Sequence, residues 1–256
     1  MDVGQWVRSR ARRSLGSVMK VLTDAPVVAL TFDDGPDPRW TPPLLELLEK
    51  HEARGTFFTV GASVQRSPDL VRHMAEHGHA LGSHSWDHSA FPLLSGSERR
   101  RQLRACEQAL GRFGRRLFRP PYGEQTLASR LDAFWLGYDV VGWSVTSEDW
   151  YEMDAAIIAD VLLKRIGPGD VVLLHDTIFD QGAPHKGPRP DRTSWVDRGA
   201  MLAALEMMFE RIGDHFRFVT VPELLQYGSP CYSYWFKQTA RPRGLGKVET
   251  LLQKLG

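Results

Sequence analysis

The sequence predicts a single α/β domain: a parallel sheet with helical crossovers that leans toward barrel closure. Three observations carry this expectation. The chain has 256 residues, enough for one large buried core. Short β-branched or apolar runs alternate with helically spaced segments, and parallel strands need such crossovers to be joined. No Gly-x-Gly-x-x-Gly or P-loop follows the first strand, which removes the two commonest nucleotide-binding forms of an open doubly wound sheet.

Taken in order, the first strand is PVVALTF (26–32), followed by helical spacing over 41–53. TFFTV (56–60) is the second strand, and Ser67-Pro68 places a cap before a first-turn proline for a helix over 67–77. HALGSHS (79–85) is the third, followed by a helix over 97–112 that Ser95 and Glu98 open as a capping box. LFRPPY (117–122) precedes a helix over 126–137, DVVGWSV (139–145) a helix over 153–166 capped by Asp154, and DVVLLHD (170–176) a helix over 197–211. FRFVTV (216–221) is the last strand. Residues 178–196, rich in Gly, Pro and charge, break the rhythm and read as a long loop.

The net charge of +1 gives no nucleic-acid footprint. Its distribution is uneven: residues 1–22 and 235–256 each carry about +4, which divides the chain into a basic N-terminal segment (1–22), a central domain (23–230) and a basic C-terminal tail (231–256). Cys106 and Cys231 lie far apart without a CxxC, so neither a disulfide framework nor a thiolate zinc site is expected. Ser14, Gly16, Ser17 and Lys20 interrupt the one candidate signal stretch, and the expectation is a cytoplasmic protein. Val3, Trp6, Val7, Leu15, Val18, Met19 and Leu22 make the N-terminal segment roughly amphipathic. Packing on the domain explains that more simply than attachment to a membrane surface.

Chemistry concentrates at strand ends. TFDDGPDP (31–38) puts Asp33 and Asp34 at the end of the first strand, where adjacent side chains point to different sides. One carboxylate can then hold a cation that relieves the repulsion between the two, while the other faces the water that cation binds; the same string also makes a good turn. HSWDH (84–88) brings His84 and His88 to one face if the segment turns helically after Ser83, although such a pair is also at home on a buried helix. His73, His77 and His79 read as surface or helix-end residues. Two imidazoles and one carboxylate leave coordination positions open, as a hydrolytic site requires. That donor set suits zinc first, with cobalt, nickel or manganese as alternatives. Three more strand ends carry clusters: RPPYG (119–123), SEDW (147–150) and LLHD (173–176). In a parallel barrel all five collect at one mouth.

In order, TFDDGP, HSWDH, RPPYG, EDW and LLHD resemble the five motifs of the polysaccharide deacetylase family over about residues 26–228. The resemblance implies a distorted, TIM-like (β/α) barrel of about seven parallel strands and one divalent metal. By resemblance Asp34, His84 and His88 are the metal ligands, Asp33 the general base, Arg119 the residue orienting that base, and His175 the general acid with Asp149 as its charge partner. The backbone N–H of Tyr122 would stabilise the oxyanion, and Trp150 and Leu173 would wall the acetyl-methyl pocket. The implied activity is removal of N-linked acetyl groups from N-acetylglucosamine-type residues of an oligo- or polysaccharide, a biosynthetic intermediate among the possibilities. An O-acetyl esterase and a noncatalytic glycan-binding relative are the alternatives. Where many relatives read Asp-x-x-Asp-Trp, Thr146 replaces the first acid, which points to tuned rather than lost activity. His185, Lys186, Arg189 and Arg192 of the long loop are candidates for a wall against an anionic part of the substrate, with a solvated insertion as the simpler alternative.

Overall fold

The computed structural model describes residues 15–152, 154–179 and 197–234. The cationic residues singled out in the long loop, most of the basic N-terminal segment and residues 235–256 lie outside them. Strands are β1 (Ser17–Leu22), β2 (Val27–Asp33), β3 (Thr56–Thr59), β4 (Ala80–Ser83), β5 (Gly114–Phe118), β6 (Asp139–Val140), β7 (Val145–Thr146), β8 (Val171–His175), β9 (Arg217–Phe218) and β10 (Ser229–Ser233). Helices are α1 (Thr41–Lys50), α2 (Gly61–Arg66), α3 (Pro68–Glu76), α4 (Gly96–Leu110), α5 (Leu127–Trp135), α6 (Ala155–Arg165), α7 (Gly199–Ile212) and α8 (Val221–Leu224). Among the described residues no helix is long and apolar enough to cross a membrane.

Seven strands run in the order β6-β5-β4-β3-β2-β8-β7, with every neighbouring pair parallel, and β9 adds to β2. The sheet curls as the expected distorted barrel, but its closure differs from the sequence reading. DVVGWSV, read as one strand, is split: its two ends are β6 and β7, which sit at opposite edges of the sheet. The turn between them crosses the seam, held where Gly142 N–H donates to Val18 O at 2.8 Å and Ser144 N–H to Val171 O at 2.9 Å. β1, which the broken pattern around Lys20 concealed, lies along this seam. Val18 bridges to Val141, and Lys20 pairs with Asp170 at 2.8 Å. β1 and β10 form an antiparallel ribbon that ties the start of the described chain to its end.

The period of two along β2 decides which residues reach the site. Val28, Leu30 and Phe32 pack outward into a core with Leu44 and Leu48 of α1 and Met201 and Leu205 of α7. Val27 and Ala29 point into the barrel beside Phe58, Leu117 and Val171. Thr31 and Asp33 continue that inward row, so the barrel axis passes from aliphatic to charged as it approaches the mouth. The Ser95–Glu98 capping box is present, and Asp154 accepts the N–H groups of Ala156 and Ile157. Ser67 makes no side-chain cap. His79, read as a surface residue, is only 8% exposed. Its Nδ1 accepts Gly55 N–H at 3.0 Å and its ring meets Phe57 edge-on, while burial pulls its pKa down to about 4.

Candidate active site

The carboxyl ends of β2, β4, β5 and β8 surround a cavity of about 330 Å3 lined by Asp33, Asp34, His84, His88, Tyr122, Trp150, Leu173 and His175. Of the ten residues singled out in the sequence, these eight reach one space; Arg119 and Asp149 stand directly behind two of them.

Asp33 ends β2 and pairs in register with His175 at the end of β8. Its Oδ1 accepts from Nη1 of Arg119 at 2.7 Å. Arg119 is fully buried, and its other donors reach Thr31 Oγ1 (2.8 Å), Gly142 O (2.7 Å) and Val141 O (3.3 Å). The guanidinium lies 4.2 Å from the centre of the Phe58 ring. Burial raises the pKa of Asp33, against the opposing pull of Arg119 and His175, and the neighbouring Asp34 charge adds to the rise.

Asp34 takes a left-handed backbone, φ 80°. Oδ2 accepts Phe179 N–H at 3.0 Å. Oδ1 is buried with no hydrogen-bond partner and lies 3.2 Å from His88 Nε2 and 3.5 Å from His84 Nε2. His84 is 2% exposed, with Nδ1 2.7 Å from Arg119 O; a carbonyl can only accept, so Nδ1–H donates to it, which leaves the Nε2 lone pair free to face Asp34. Burial first, and His88 second, push the pKa of His84 well below its ordinary value, so the ring is neutral. One donor atom from each of the three residues falls within 4.8 Å of the others. A neutral imidazole, an orphaned carboxylate oxygen and a second imidazole fit a divalent cation of the N/O-binding type.

The convergence of the two histidines is not helical. Ser85 (φ 73°) and His88 (φ 60°) are both left-handed, and the loop is fastened by α4 and by its own side chains. Gln102 Oε1 accepts the N–H groups of Trp86 and Asp87 at 2.8 and 3.1 Å, its amide donates to Asp87 Oδ2 at 2.7 Å, and His88 N–H donates to Ser85 Oγ at 2.9 Å.

Opposite, His175 Nδ1 lies 3.1 Å from Asp149 Oδ1, and its backbone N–H donates to Asp149 Oδ2 at 2.9 Å. Burial alone would lower the histidine's pKa; Asp149, with help from Asp34 and Asp33, outweighs it and lifts the value to about 9. Arg198, 1% exposed at the start of α7, donates to Asp149 O at 2.9 Å and approaches Asp149 Oδ2 at 3.7 Å. Tyr122 (φ 60°) sets its ring 4.5 Å from that of His88. Trp150 donates Nε1–H to Glu148 Oε2 at 2.7 Å, and Thr146, at the position of the missing acid, accepts Glu148 N–H at 3.2 Å.

Sequence reasoning did not single out Gln102, Arg198, Thr41 or Asp176. Asp176 is fully buried; it accepts Gly35 N–H at 3.0 Å and Thr41 Oγ1–H at 2.5 Å, and burial raises its pKa to about 7. Gln102 carried a signal: it is a polar residue on the buried face of α4, beside Leu103 and Cys106.

A family model described as polysaccharide deacetylase matches residues 20–141. A chitooligosaccharide deacetylase from Sinorhizobium fredii is 35% identical over 210 residues, which cover 78% of this chain and 92% of that protein. A peptidoglycan-N-acetylglucosamine deacetylase from Bacillus cereus is 37% identical over 154 residues, 59% of this chain and 56% of the relative, so the chain spans about half the length of that protein. Among solved structures, a peptidoglycan N-acetylglucosamine deacetylase superposes with a TM-score of 0.72 at 28% identity, covering 88% of this chain and 98% of the other. The chain belongs to the polysaccharide deacetylase family.

Proposed function

We propose that the chain is a metal-dependent hydrolase that removes N-linked acetyl groups from N-acetylglucosamine-type residues of an oligo- or polysaccharide. One observation carries the reading: a three-donor cation site stands between an arginine-held carboxylate and a carboxylate-held imidazole within one cavity. The relatives' activities on chitooligosaccharide and peptidoglycan support the substrate class.

Asp34, His84 and His88 would hold the cation, zinc first, with cobalt, nickel or manganese able to replace it. When bound, such an ion supplies Lewis acidity, lowering the pKa of water and polarising the amide oxygen. Asp33 is the general base. Arg119 fixes its Oδ1, which leaves Oδ2 to take a proton from the attacking water, and its raised pKa brings its basicity nearer to working pH. Attack forms the C–O bond, and the negative charge that develops on the amide oxygen is met by the backbone N–H of Tyr122. Trp150 and Leu173 wall the methyl group. His175, held as the imidazolium by Asp149, gives its proton to the departing nitrogen as the C–N bond breaks. Acetate and the free amino sugar result.

The test is acetate release from N-acetylglucosamine oligomers by protein that has been chelated and then reloaded with zinc or cobalt, beside Asp33→Asn. Metal-dependent acetate that disappears in the variant is expected. Stoichiometric metal binding with no acetate from any oligomer would refute the reading.

A further inference from the structure

A second cavity, of about 380 Å3, opens on the same face. Its walls are the Pro36–Arg39 turn after β2, the helix α2 with Ser67, and the Thr177–Phe179 turn after β8. Ile178 and Phe179 line both cavities and form the partition between them. Two arginines border this space, and they differ. Arg39 is engaged by Asp37, Nη2 to Oδ2 at 3.3 Å, and contributes little net charge. Arg66 has no carboxylate partner among the described residues. Its Nη2 donates to Ser63 Oγ at 3.1 Å, and its guanidinium lies 5.9 Å from the centre of the Phe179 ring.

A guanidinium tethered by one hydroxyl and resting on an aromatic ring is oriented before any ligand arrives. Its remaining N–H groups form the planar fork that matches a carboxylate or phosphate. The neutral hydroxyls of a sugar offer no comparable partner. The partition also joins this pocket to the chemistry, because the backbone N–H of Phe179 holds Oδ2 of Asp34. On the amino-sugar reading, this pocket is where a unit or substituent adjoining the reacting sugar would cross that partition.

We propose that the second cavity is a subsite for an anionic substituent, a carboxylate or phosphate on or next to the sugar being deacetylated, with Arg66 as its anchor. This rests on the amino-sugar reading of the first cavity and narrows it, from acetylated amino sugars in general to acidic ones.

The experiment is isothermal titration calorimetry on the full chain without added metal, so that binding is read apart from turnover. Four tetrasaccharide probes of equal length are compared: neutral N-acetylglucosamine units, alternate units bearing a lactyl carboxylate, the same sugar as its lactyl amide, and one bearing a phosphate monoester. The wild type should bind at least one of the two anionic probes about 3–10-fold tighter than its neutral counterpart, as expected for a partly solvent-exposed charge-assisted contact. Which anion gains identifies the source of the charge. Arg66→Ala should erase the gain and leave the neutral tetramer within about two-fold, Arg66→Lys should keep part of it, and added salt should shrink it. Equal binding of all four probes by the wild type, or a preference that survives Arg66→Ala, overturns the proposal. Acetate release, measured separately, distinguishes the two readings. A preference without acetate leaves the subsite standing and removes the catalytic assignment, and acetate without a preference does the reverse.

Discussion

Replacing Arg119 with methionine tests whether the Asp33 charge is held by a buried partner. The pair is closed to solvent, with side-chain exposures of 0% and 5% and a contact of 2.7 Å. Methionine fills much of the volume but leaves the carboxylate in a low-dielectric site, and removing one partner of a buried ion pair costs about 3–5 kcal/mol. For a chain of this size, about 2–4 °C of Tm accompanies each kcal/mol, so a fall of roughly 6–20 °C is expected. Asp33→Asn alone should cost less, about 1–3 kcal/mol, because the amide oxygen still accepts from Nη1 while the guanidinium keeps Gly142 O, Val141 O and the Phe58 ring. The double variant no longer contains the orphaned charge. Its loss should therefore fall short of the sum of the two singles by about 2–3 kcal/mol. Urea unfolding of the chelated proteins at one pH measures all four corners of this cycle. Additivity within about 0.5 kcal/mol would show that the two residues do not act as a pair, and the reasoning that makes Arg119 the residue positioning the base would fail.

Three further outcomes follow from the same geometry. His175 has a folded pKa of about 9, above that of an unfolded histidine, so the stability it contributes is fully present below about pH 6.5 and is lost as pH rises through the folded value; a cation nearby would bring that value down. Asp149→Asn leaves burial opposed only by Asp34 and Asp33, and the alkaline limb of kcat should move at least about one pH unit lower; an unmoved limb would clear His175 of the acid role. His175→Ala should reduce cleavage of N-acetyl substrates at least about ten-fold more than that of matched O-acetyl esters, since an amine needs a proton to leave more than an alkoxide does; equal losses on both would count against leaving-group protonation. Gly35→Ala would place a Cβ 2.0 Å from Asp176 Oδ2, and displacing that clamp should cost about 1–3 kcal/mol in thermal unfolding and weaken zinc affinity through the adjacent Asp34; unchanged stability and affinity would mean that the turn moves freely.

The strand ends were legible because of how buried parallel strands are written. β2 is buried throughout, so its apolar run ends sharply where Asp33 and Asp34 begin, and the same contrast marks β8 ahead of His175. What lay between the strands was less legible. The helical spacing of His84 and His88 suggested a helix that the structure replaces with two left-handed residues and a glutamine clamp, a tertiary arrangement with no local periodicity. DVVGWSV read as one strand because Gly142 and Trp143 do not interrupt a β-propensity pattern, yet they are where the chain crosses from one sheet edge to the other. Arg198 gave no warning because it follows a long loop and acts on Asp149, 49 positions earlier.

Six non-glycine residues among those described have positive φ, and five of them, Asp34, Ser85, His88, Tyr122 and Glu148, lie on the loops that build the cavity. Each such backbone costs about 1–3 kcal/mol relative to an ordinary one. Glycine would relieve the strain, but at each of these positions the site uses the side chain. Asp34 and His88 supply donor atoms, Ser85 accepts the N–H of His88, and Tyr122 covers the His88 ring. Glu148 follows the same logic although it touches no reacting group. Its carboxylate holds the indole N–H of Trp150 at the cavity rim, and its left-handed turn comes immediately before Asp149, which must face His175. Where the first acid of this motif is replaced by Thr146, the threonine hydroxyl still receives the Glu148 N–H, so the turn that aims Asp149 survives the substitution and the departure from the family pattern falls on the rim of the cavity rather than on the Asp149–His175 pair.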